Sequence, residues 1–491
     1  GEESSTKDSI IIGINQDVFG FHPWMETLDA TSISVNKNIF NTLVGVDEIY
    51  RFTSELAKSW NNPDNLTWRF YLREDVKFHN GYNFTAQDVN YTINLIKSNT
   101  SNIFNELLVN VEEVIVINNY TLDIKTIKPC PTFLNKLIDI MIISKEYQET
   151  TSTKKPIGTG AYKFVEQKPG EHIILERFEN YWKELSDIKT VKFKIIEDSV
   201  LRKNALINKS VDIAETIHPE YYEELSSLEG FKIKNVDTPT VYYLSFDFRE
   251  NTTTLSDGVN PFSHVEIRKA MYHSINISEI IDKYLYGFGT EISQFVSPLI
   301  FGYNPNIKRA SYNLTIAREL MKDVGFESGF NISLDCPDEN LMKNISNEIA
   351  NQLLEINITV NLNILSIFDW LNNMYERNTS FYLSGWIPSG VDGGEIYDYL
   401  LRSVDDNNNI GTFNAGYYSN PEVDRIGEEI TFIMDYKSRL QLIQQGFAIA
   451  MEDVAWIPLF SIQWLYGISD DIEFNPRPDL NIKLEEIKLK N

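Results

Sequence analysis

The histidines of the chain limit the metal chemistry that it can perform. The sequence has six, at His22, His79, His172, His218, His264 and His273. No two of them have the spacing of an HExxH motif, and none follows His273. A zinc or nickel site built from several histidines of the C-terminal part is therefore excluded, and we predict that the protein itself holds no metal and no cofactor.

Motifs for catalysis are equally scarce. The run GTGAYKF, from Gly158, lacks the Lys-Ser/Thr ending of a phosphate-binding loop and continues as a predicted strand over 162–165, so we interpret Gly158 and Gly160 as turn residues with positive φ. No GxSxG elbow occurs. Acidic pairs such as Glu428-Glu429 are adjacent in sequence, and adjacent carboxylates rarely face each other across a substrate. We predict no catalytic residues and no enzyme; a secreted hydrolase with two carboxylates in a cleft is the alternative from another class.

The most promising binding residues follow a predicted strand that ends FYLSG. Trp386 comes next, and IPSGVDGGEIYDYL follows it. In α/β domains, loops that leave the carboxyl ends of strands hold ligands. Asp392 could accept a hydrogen bond or pair with a cation. A tight surface loop with a half-buried tryptophan is the alternative explanation of the same residues.

Composition and charge exclude several partners. The 491 residues suggest about three domains, and 42% hydrophobic and 23% charged residues are typical of a globular protein. The net charge of −26 argues against binding to nucleic acid and to anionic lipid. No apolar run approaches the ~20 residues that span a bilayer. We therefore expect a membrane association only through an anchor that has been removed from this sequence.

Two observations indicate an extracytoplasmic protein. Cysteine is scarce: Cys130 and Cys336 are the only two, and they lie far apart in sequence without the spacing of metal ligands. They could be two free thiols or form a disulfide. Asn-x-Ser/Thr sequons, which matter only outside the cytoplasm, are about twice as frequent as chance predicts. They begin at Asn65, Asn83, Asn90, Asn99, Asn119, Asn208, Asn251, Asn276, Asn313, Asn331, Asn344, Asn357 and Asn378.

The order of predicted elements places these residues in an α/β protein. A strand over 67–72, a helix capped by Thr85 and short strands over 114–117 and 121–124 form a small α+β unit. From about residue 260, helices and strands alternate, which implies βαβ crossovers and a largely parallel sheet. Ser263 and Glu266 predict a capping box. Gly325 is typical of the position that follows a helix end, and Asn420 with Pro421 predicts the start of a helix.

Several motifs resemble family 5 extracellular solute-binding proteins. The run RFTSELAKSWNNPDNLTWRFYLREDVKFHNGYNFTAQDVNYTI is similar to that family's LAxSW…LTWTFxLRxGVKFHDGxPxTAxDV. PIGTGAYKFVEQKPGEHIILERFENYW resembles PxGTGPYxFxxWxPGexixLxRNxxYW, and VEIRKAMYHSINISEIIDKYLYGFG resembles VRxALxxAIDRexIixxvlxGxG. SYNLTIARELMKDVGF, GYYSNPEVDRI and AWIPLF complete the series in the family's order, so that the resemblance covers about residues 40 to 460.

The resemblance implies an α/β fold of the periplasmic-binding-protein type (type II), with two lobes, a hinge and an extra small α+β domain. The segments are lobe I in three parts (1–46, 156–240 and 466–491), the extra domain (47–155) and a second ligand-binding lobe (241–465). The hinge strands are expected near 238–248 and 463–470. The protein would be a monomeric receptor that captures a ligand in an interlobe cleft by hinge closure and delivers it to the permease subunits of an ABC importer.

One departure from the family pattern concerns the ligand. Peptide-binding members usually read GWxxDYxDP, where the first aspartate anchors the amino terminus of the ligand, whereas this chain reads GWIPSGVDGG with Ser389 in that place. A serine hydroxyl cannot supply the charge-assisted bond that an ammonium group favours. We therefore predict a ligand not held by the amine clamp: an oligopeptide bound through its backbone, a metal chelate such as a nickel complex, or a saccharide stacked on aromatic rings.

The predicted ligand-binding residues come from both lobes. The second lobe supplies Trp386, Ser389 and Asp392, and also Asp369 and Trp370 after a strand over 360–364. The N-terminal loop DVFGFHPW supplies Phe19 and Trp24.

Overall fold

The structure, a computed structural model, describes residues 8–21, 29–151, 155–250 and 258–490. The chain divides into two units. Unit 1 comprises Gly1–Val236 and Trp464–Asn491, and unit 2 comprises Asp237–Gln463. The predicted second lobe, 241–465, has nearly the bounds of unit 2. The predicted extra domain, 47–155, lies within unit 1, and its independence stays a prediction.

The elements of unit 1 alternate between strands and short helices. In chain order they are β1 (Ser9–Ile14), α1 (Ala30–Ile39), β2 (Val44–Val46), β3 (Phe52–Ser54), β4 (Ala57–Asp64), β5 (Thr67–Leu72), α2 (Ala86–Ser98), β6 (Val111–Asn118), β7 (Thr121–Thr126), α3 (Phe133–Leu137), α4 (Lys145–Thr150), β8 (Tyr162–Lys168), β9 (His172–Arg177), β10 (Thr190–Ile195), α5 (Ser199–Ile207), β11 (Ile213–Ile217), α6 (Tyr222–Ser226) and β12 (Phe231–Asp237).

Unit 2 has longer helices, and the chain then returns to unit 1 within one strand. The elements are β13 (Val241–Phe246), α7 (Val265–Ser274), α8 (Ile277–Tyr284), β14 (Gly289–Glu291), α9 (Leu314–Asp323), β15 (Phe330–Pro337), α10 (Asn340–Leu354), β16 (Ile358–Leu365), α11 (Ile367–Tyr375), β17 (Phe381–Trp386), α12 (Pro421–Ile430), α13 (Tyr436–Glu452), β18 (Trp456–Pro458) and β19 (Phe460–Ser469), followed in unit 1 by β20 (Ile472–Glu473) and β21 (Lys488–Leu489).

Two sheets organise unit 1. The larger has the strand order β12-β19-β11-β1-β10-β9-β8, in which β1 is parallel to both β10 and β11. The smaller, β4-β5-β7-β6, is antiparallel and corresponds to the α+β unit predicted from sequence. Trp68, Phe70 and Leu72 of β5 are buried, as the period-two pattern predicts.

The sheet of unit 2 is mixed, so the predicted largely parallel sheet is wrong for this unit: two of its four strand pairings in the described residues are antiparallel. Its strand order is β16-β15-β17-β13-β18, with β15 parallel to β16 and β17 and with β13 antiparallel to β17 and β18. The predicted βαβ crossover is confirmed in β15–α10–β16. Phe246 and Phe381 stack on neighbouring strands with ring centroids 5.7 Å apart, and Phe262 packs on both rings. This aromatic core holds the amino end of β17, the strand whose carboxyl end carries Trp386.

The predicted helix ends are largely confirmed. The amide N–H of Thr85 donates to Asp88 Oδ2 at 2.8 Å as part of a capping box, Gly325 follows α9 with φ of 78°, and Asn420 caps α12. The capping box at Ser263 is wrong. Helix α7 begins after His264 without a side-chain cap, because the Ser263 hydroxyl donates to the Asn260 carbonyl at 2.7 Å instead.

The interpretation of Gly158 and Gly160 as positive-φ residues is also wrong. Neither has a positive φ. Both pack directly on the end of α1: a Cβ on Gly158 would collide with the carbonyl oxygen of Ile39, and one on Gly160 with that of Asn38. The sequence signal was a close approach of two backbones and not a turn. Within the described ranges, no helix combines the length and the apolar character that crossing a bilayer requires.

Candidate functional site

The carboxyl ends of three parallel strands in unit 2 meet at one edge of the sheet. Asp335 of β15 pairs in parallel register with Asn363 of β16 and with Tyr382 of β17. The segments that follow β16 and β17, on either side of β15, therefore leave the sheet at the same level, about two strand spacings or ~10 Å apart. One is helix α11, and the other is the loop that begins at Trp386.

Trp386 is the centre of an aromatic cluster at this edge. Its ring centroid lies 5.5 Å from that of Tyr399 and 5.7 Å from that of Phe413, and the last two are 5.9 Å apart. Tyr375, at the end of α11, packs on Phe413 at 5.4 Å. Trp386 and Phe413 are half-buried, whereas Tyr375 and Tyr399 are exposed. The aromatic cluster thus presents ring surface to the outside of unit 2.

A π-helical turn positions one of these rings. In Tyr397–Leu401 the side chains of Tyr397, Leu400 and Leu401 are buried, and the Tyr397 hydroxyl donates to the Ile443 carbonyl at 2.7 Å. The extra residue of a π-turn changes which side chains point outward. Tyr399 is the member left at the surface, beside Trp386. Tyr399 and Phe413 are not among the residues predicted from sequence, because nothing in the local pattern brings residue 413 to residue 386.

Ser389 holds a carboxylate that the sequence argument overlooked. Ser389 is exposed; its amide N–H donates to Glu395 Oε1 at 2.8 Å, and its hydroxyl donates to Glu395 Oε2. Residue 389 lacks the aspartate of the family pattern, but the fold brings the carboxylate of Glu395 to the same place from six residues further along the chain. The prediction of a ligand not held by an amine clamp stays open to test.

Asp392 belongs to a buried ion pair. Arg439 donates from Nη2 to Asp392 Oδ1 at 3.0 Å and from Nη1 to Oδ2, and the amide N–H of Gly394 also donates to Oδ1, at 2.8 Å. Both side chains are almost fully buried. This pairing gives Asp392 a clear role in holding the loop on α13. Its predicted contact with ligand stays a prediction.

The other predicted residues are spread over two regions. Ser366 caps α11: its hydroxyl oxygen accepts from the amide N–H of Asp369 at 3.1 Å, and the hydroxyl donates to Asp369 Oδ2 at 2.7 Å. Trp370 is half-buried on the same helix. Phe19 belongs to unit 1, where its side chain is 70% exposed and its amide N–H donates to Ser32 Oγ at 3.1 Å. Trp24 lies outside the described residues. The structure therefore brings Trp386 and Ser389 into one loop, with Trp370 and Asp369 on the neighbouring helix.

The parallel strands of unit 1 also end beside buried charged groups. Arg202 donates to the carbonyls of Ile196 and Glu197 after β10 (2.6 and 3.1 Å), and to those of Glu215 and Thr216 in β11 (2.8 and 2.9 Å). The carboxyl of Glu215 accepts from the amide of Asn15, after β1, at 2.9 Å. Burial raises the pKa of Glu215 to about 7, although the Asn15 hydrogen bond and the Arg202 charge oppose this.

No clustered metal ligands accompany these features. In residues 8–21, 29–151, 155–250 and 258–490, no group of three or more His, Cys, Asp or Glu side chains could hold a metal ion. Cys130 and Cys336 are both buried free thiols. The arrangement in unit 2 is instead suited to non-covalent binding, by ring stacking and by hydrogen bonds at Ser389 and Glu395.

Comparison with known proteins identifies relatives over nearly the whole chain. Residues 51–408 match the model of the bacterial extracellular solute-binding proteins, family 5 middle region. Heme-binding protein A of Haemophilus influenzae is 25% identical, with 93% of this chain and 88% of that protein covered. The glutathione-binding protein GsiB of Escherichia coli K12 is 22% identical, with 98% and 94% covered.

A solved structure has the same fold. The periplasmic binding protein DppA of Helicobacter pylori, in complex with the peptide STSA, superposes with a TM-score of 0.74 at 22% identity, and the superposition covers 98% of each chain. The predicted fold class, an α/β fold of the periplasmic-binding-protein type, is confirmed by this likeness.

Proposed function

The chain belongs to the family 5 bacterial extracellular solute-binding proteins, and from this premise we propose that it is the receptor of an ABC importer that binds an oligopeptide or a similar ligand at the aromatic cluster of unit 2. The relatives named above are binding proteins, and the family is extracellular. Delivery to permease subunits, the monomeric state, the membrane anchor and closure of the two lobes on the ligand stay predictions from the family.

The observation that carries the proposal is the placement of Trp386 and Ser389 at the carboxyl end of β17. Aromatic rings bury the apolar side chains of a ligand, and the Ser389–Glu395 pair offers an acceptor for its polar end. Peptides combine both kinds of group. One relative is named for glutathione, which is a tripeptide, and the DppA structure contains a peptide. Both names favour a peptide-like ligand here.

Mass spectrometry of the native protein provides the first test. We expect a peptide to be released on denaturation and recovered unchanged after incubation with the protein, since a receptor does not hydrolyse its ligand. A porphyrin, a metal chelate or a saccharide in its place would contradict the peptide proposal and favour another receptor of the same fold. Steady turnover of the bound molecule would favour the hydrolase alternative.

Calorimetric titration locates the site. We expect Trp386→Ala to weaken peptide binding at least 10-fold, because the ring supplies stacking surface. Tyr312→Ala is the matched control, since Tyr312 is an exposed aromatic residue of the same unit outside the cluster. Equal affinities of the wild type and the Trp386 variant would place the site elsewhere.

The same titration, with peptides whose amino termini are free or acetylated, tests whether the protein binds the ligand's amine. If Glu395 serves as the counter-charge, the free amine is preferred and Glu395→Gln removes the preference. If the ligand is held through its backbone alone, acetylation has no effect, as predicted from Ser389 by itself.

A further inference from the structure

Helix α11 exposes an apolar stripe. Phe368 is 77% exposed, Ile367 57% and Tyr375 56%, and Leu371 is also exposed. Residues 367, 371 and 375 follow the i, i+4, i+8 spacing of one helix face. No residue of this helix is buried. A surface helix normally turns its apolar stripe to the core, so a stripe turned outward indicates a binding surface.

The stripe begins beside the aromatic cluster and joins it at the end of α11. At its start, α11 leaves the sheet level with the Trp386 loop, as the pairing of Asp335 shows. At its end, Tyr375 packs on Phe413, which packs on Trp386. Ile387, directly after Trp386, is 70% exposed and enlarges the apolar surface. The ligand surface is therefore larger than one tryptophan.

The charge of the surrounding segment has one sign. Residues 366–413 contain two arginines and seven carboxylate residues: Asp369, Glu376, Asp392, Glu395, Asp398, Asp405 and Asp406. The two arginines are already paired, Arg377 with Asp406 at 2.6 Å and Arg402 with Asp398 at 2.7 Å, and the buried Asp392 is neutralised by Arg439 from outside the segment. Without Asp392 the segment has a formal charge of 2 − 6 = −4 around an apolar surface. An acidic rim around an apolar surface is complementary to an amphipathic cation.

We infer that the ligand is a positively charged peptide with large apolar side chains, which lie on the α11 stripe and the aromatic cluster while its cationic groups face the carboxylates of residues 366–413 other than the buried Asp392. This inference rests on the proposed function and narrows its ligand class. An anionic ligand would meet like charge at this surface, and a neutral saccharide would leave most of the α11 stripe in water.

Calorimetry with three matched pentapeptides tests the ligand class. Lys-Leu-Phe-Leu-Lys has both features, Glu-Leu-Phe-Leu-Glu reverses the charge, and Lys-Ser-Gly-Ser-Lys removes the apolar side chains. We expect the first to bind at least 10-fold more tightly than each of the others, and its affinity to fall as salt is raised. Equal or tighter binding of either of the other two peptides would overturn the inference.

Surface variants test the location. Phe368→Ser and Tyr375→Ser replace exposed side chains and leave the core intact, so we expect folded proteins that bind the first peptide at least 5-fold more weakly. Tyr312→Ser is the control and should bind normally. If the peptides bind through Trp386 but Phe368→Ser and Tyr375→Ser change nothing, the proposed function stands and this inference is wrong. If no peptide of the set binds although the native protein releases a peptide on denaturation, this inference is wrong and the proposed function stands; if neither is seen, both are wrong.

Discussion

Arg439 and Asp392 form a buried ion pair that joins helix α13 to the loop after Trp386. The neighbouring backbone is held as well, since the amide N–H of Phe301 donates to the Val391 carbonyl and that of Gly393 to the Phe301 carbonyl, both at 2.8 Å. The loop that carries Ser389 is therefore fixed on both sides of Asp392. A fixed loop loses little entropy when a ligand binds.

We expect Asp392→Asn to lower the free energy of unfolding by about 3 kcal/mol, because it leaves the buried guanidinium of Arg439 without its counter-charge. Urea unfolding measures the loss. The double variant Asp392→Leu with Arg439→Met is the control and should recover part of it, because both buried charges are then gone. Unchanged unfolding together with lost ligand affinity would instead confirm the ligand contact predicted from sequence.

The candidate site shows where sequence-based prediction ends. The strand before Trp386 and the caps at Thr85 and Asn420 were predictable, because each depends on residues within one turn or one strand. The ion pair of Asp392 and Arg439 joins residues that are 47 positions apart in sequence, and Phe413 packs on Trp386 from 27 positions away. Contacts of that kind depend on how helices pack on the sheet, which a local pattern does not specify. The sequence of α11 indicates an amphipathic helix, but it does not indicate that the apolar stripe faces outward and not toward the core.

Because Glu215 is buried, we expect the free energy of unfolding to fall at alkaline pH. Burial raises its pKa to about 7 from 4.5, so the folded protein binds the proton more tightly than the unfolded chain. Its contribution to stability is complete below pH 4.5 and is lost as pH rises through 7, by about 3 kcal/mol at most. We expect Glu215→Gln to remove this loss, so that the variant is the more stable protein at pH 8.

Urea unfolding at pH 5 and pH 8 checks this, with the exposed Glu223→Gln as control. Two neighbouring groups matter. The Arg202 guanidinium lowers the pKa of Glu215, and Tyr466 stays neutral at both pH values, because burial raises its pKa well above the ordinary value, with a further contribution from Glu215. A stability difference between Glu215→Gln and wild type that is the same at both pH values would contradict the prediction.

The buried His79 leads us to expect the opposite pH dependence of stability, with a loss as the pH falls. Its Nε2 lies 2.9 Å from the Gly160 carbonyl and its Nδ1 accepts from the Gly158 amide at 3.3 Å, which is the bonding of a neutral ring. Burial lowers its pKa to about 4, below the 6.5 of the unfolded chain. The stability that the neutral ring contributes is present above pH 6.5 and is lost as pH falls toward 4.

We therefore expect the difference in unfolding free energy between wild type and His79→Gln to shrink between pH 7 and pH 5. Measurement stays above pH 5, where most carboxylates are ionised. A difference that grows on acidification would show that the ring is charged in the folded protein.

Gly160, whose carbonyl is bonded to His79, provides the last prediction. A Cβ on Gly160 would collide with the backbone at Asn38 and Ile39, whereas a Cβ on Gly170 would meet nothing within 4 Å. Gly170 has φ of 72°, so Gly170→Ala costs about 1 kcal/mol through backbone strain alone. We expect Gly160→Ala to cost more than that, at least about 3 kcal/mol, because the segment that precedes β8 must move away from the end of α1. Urea unfolding of the two variants measures the difference; equal losses would mean that the contact between Gly160 and α1 relaxes without cost.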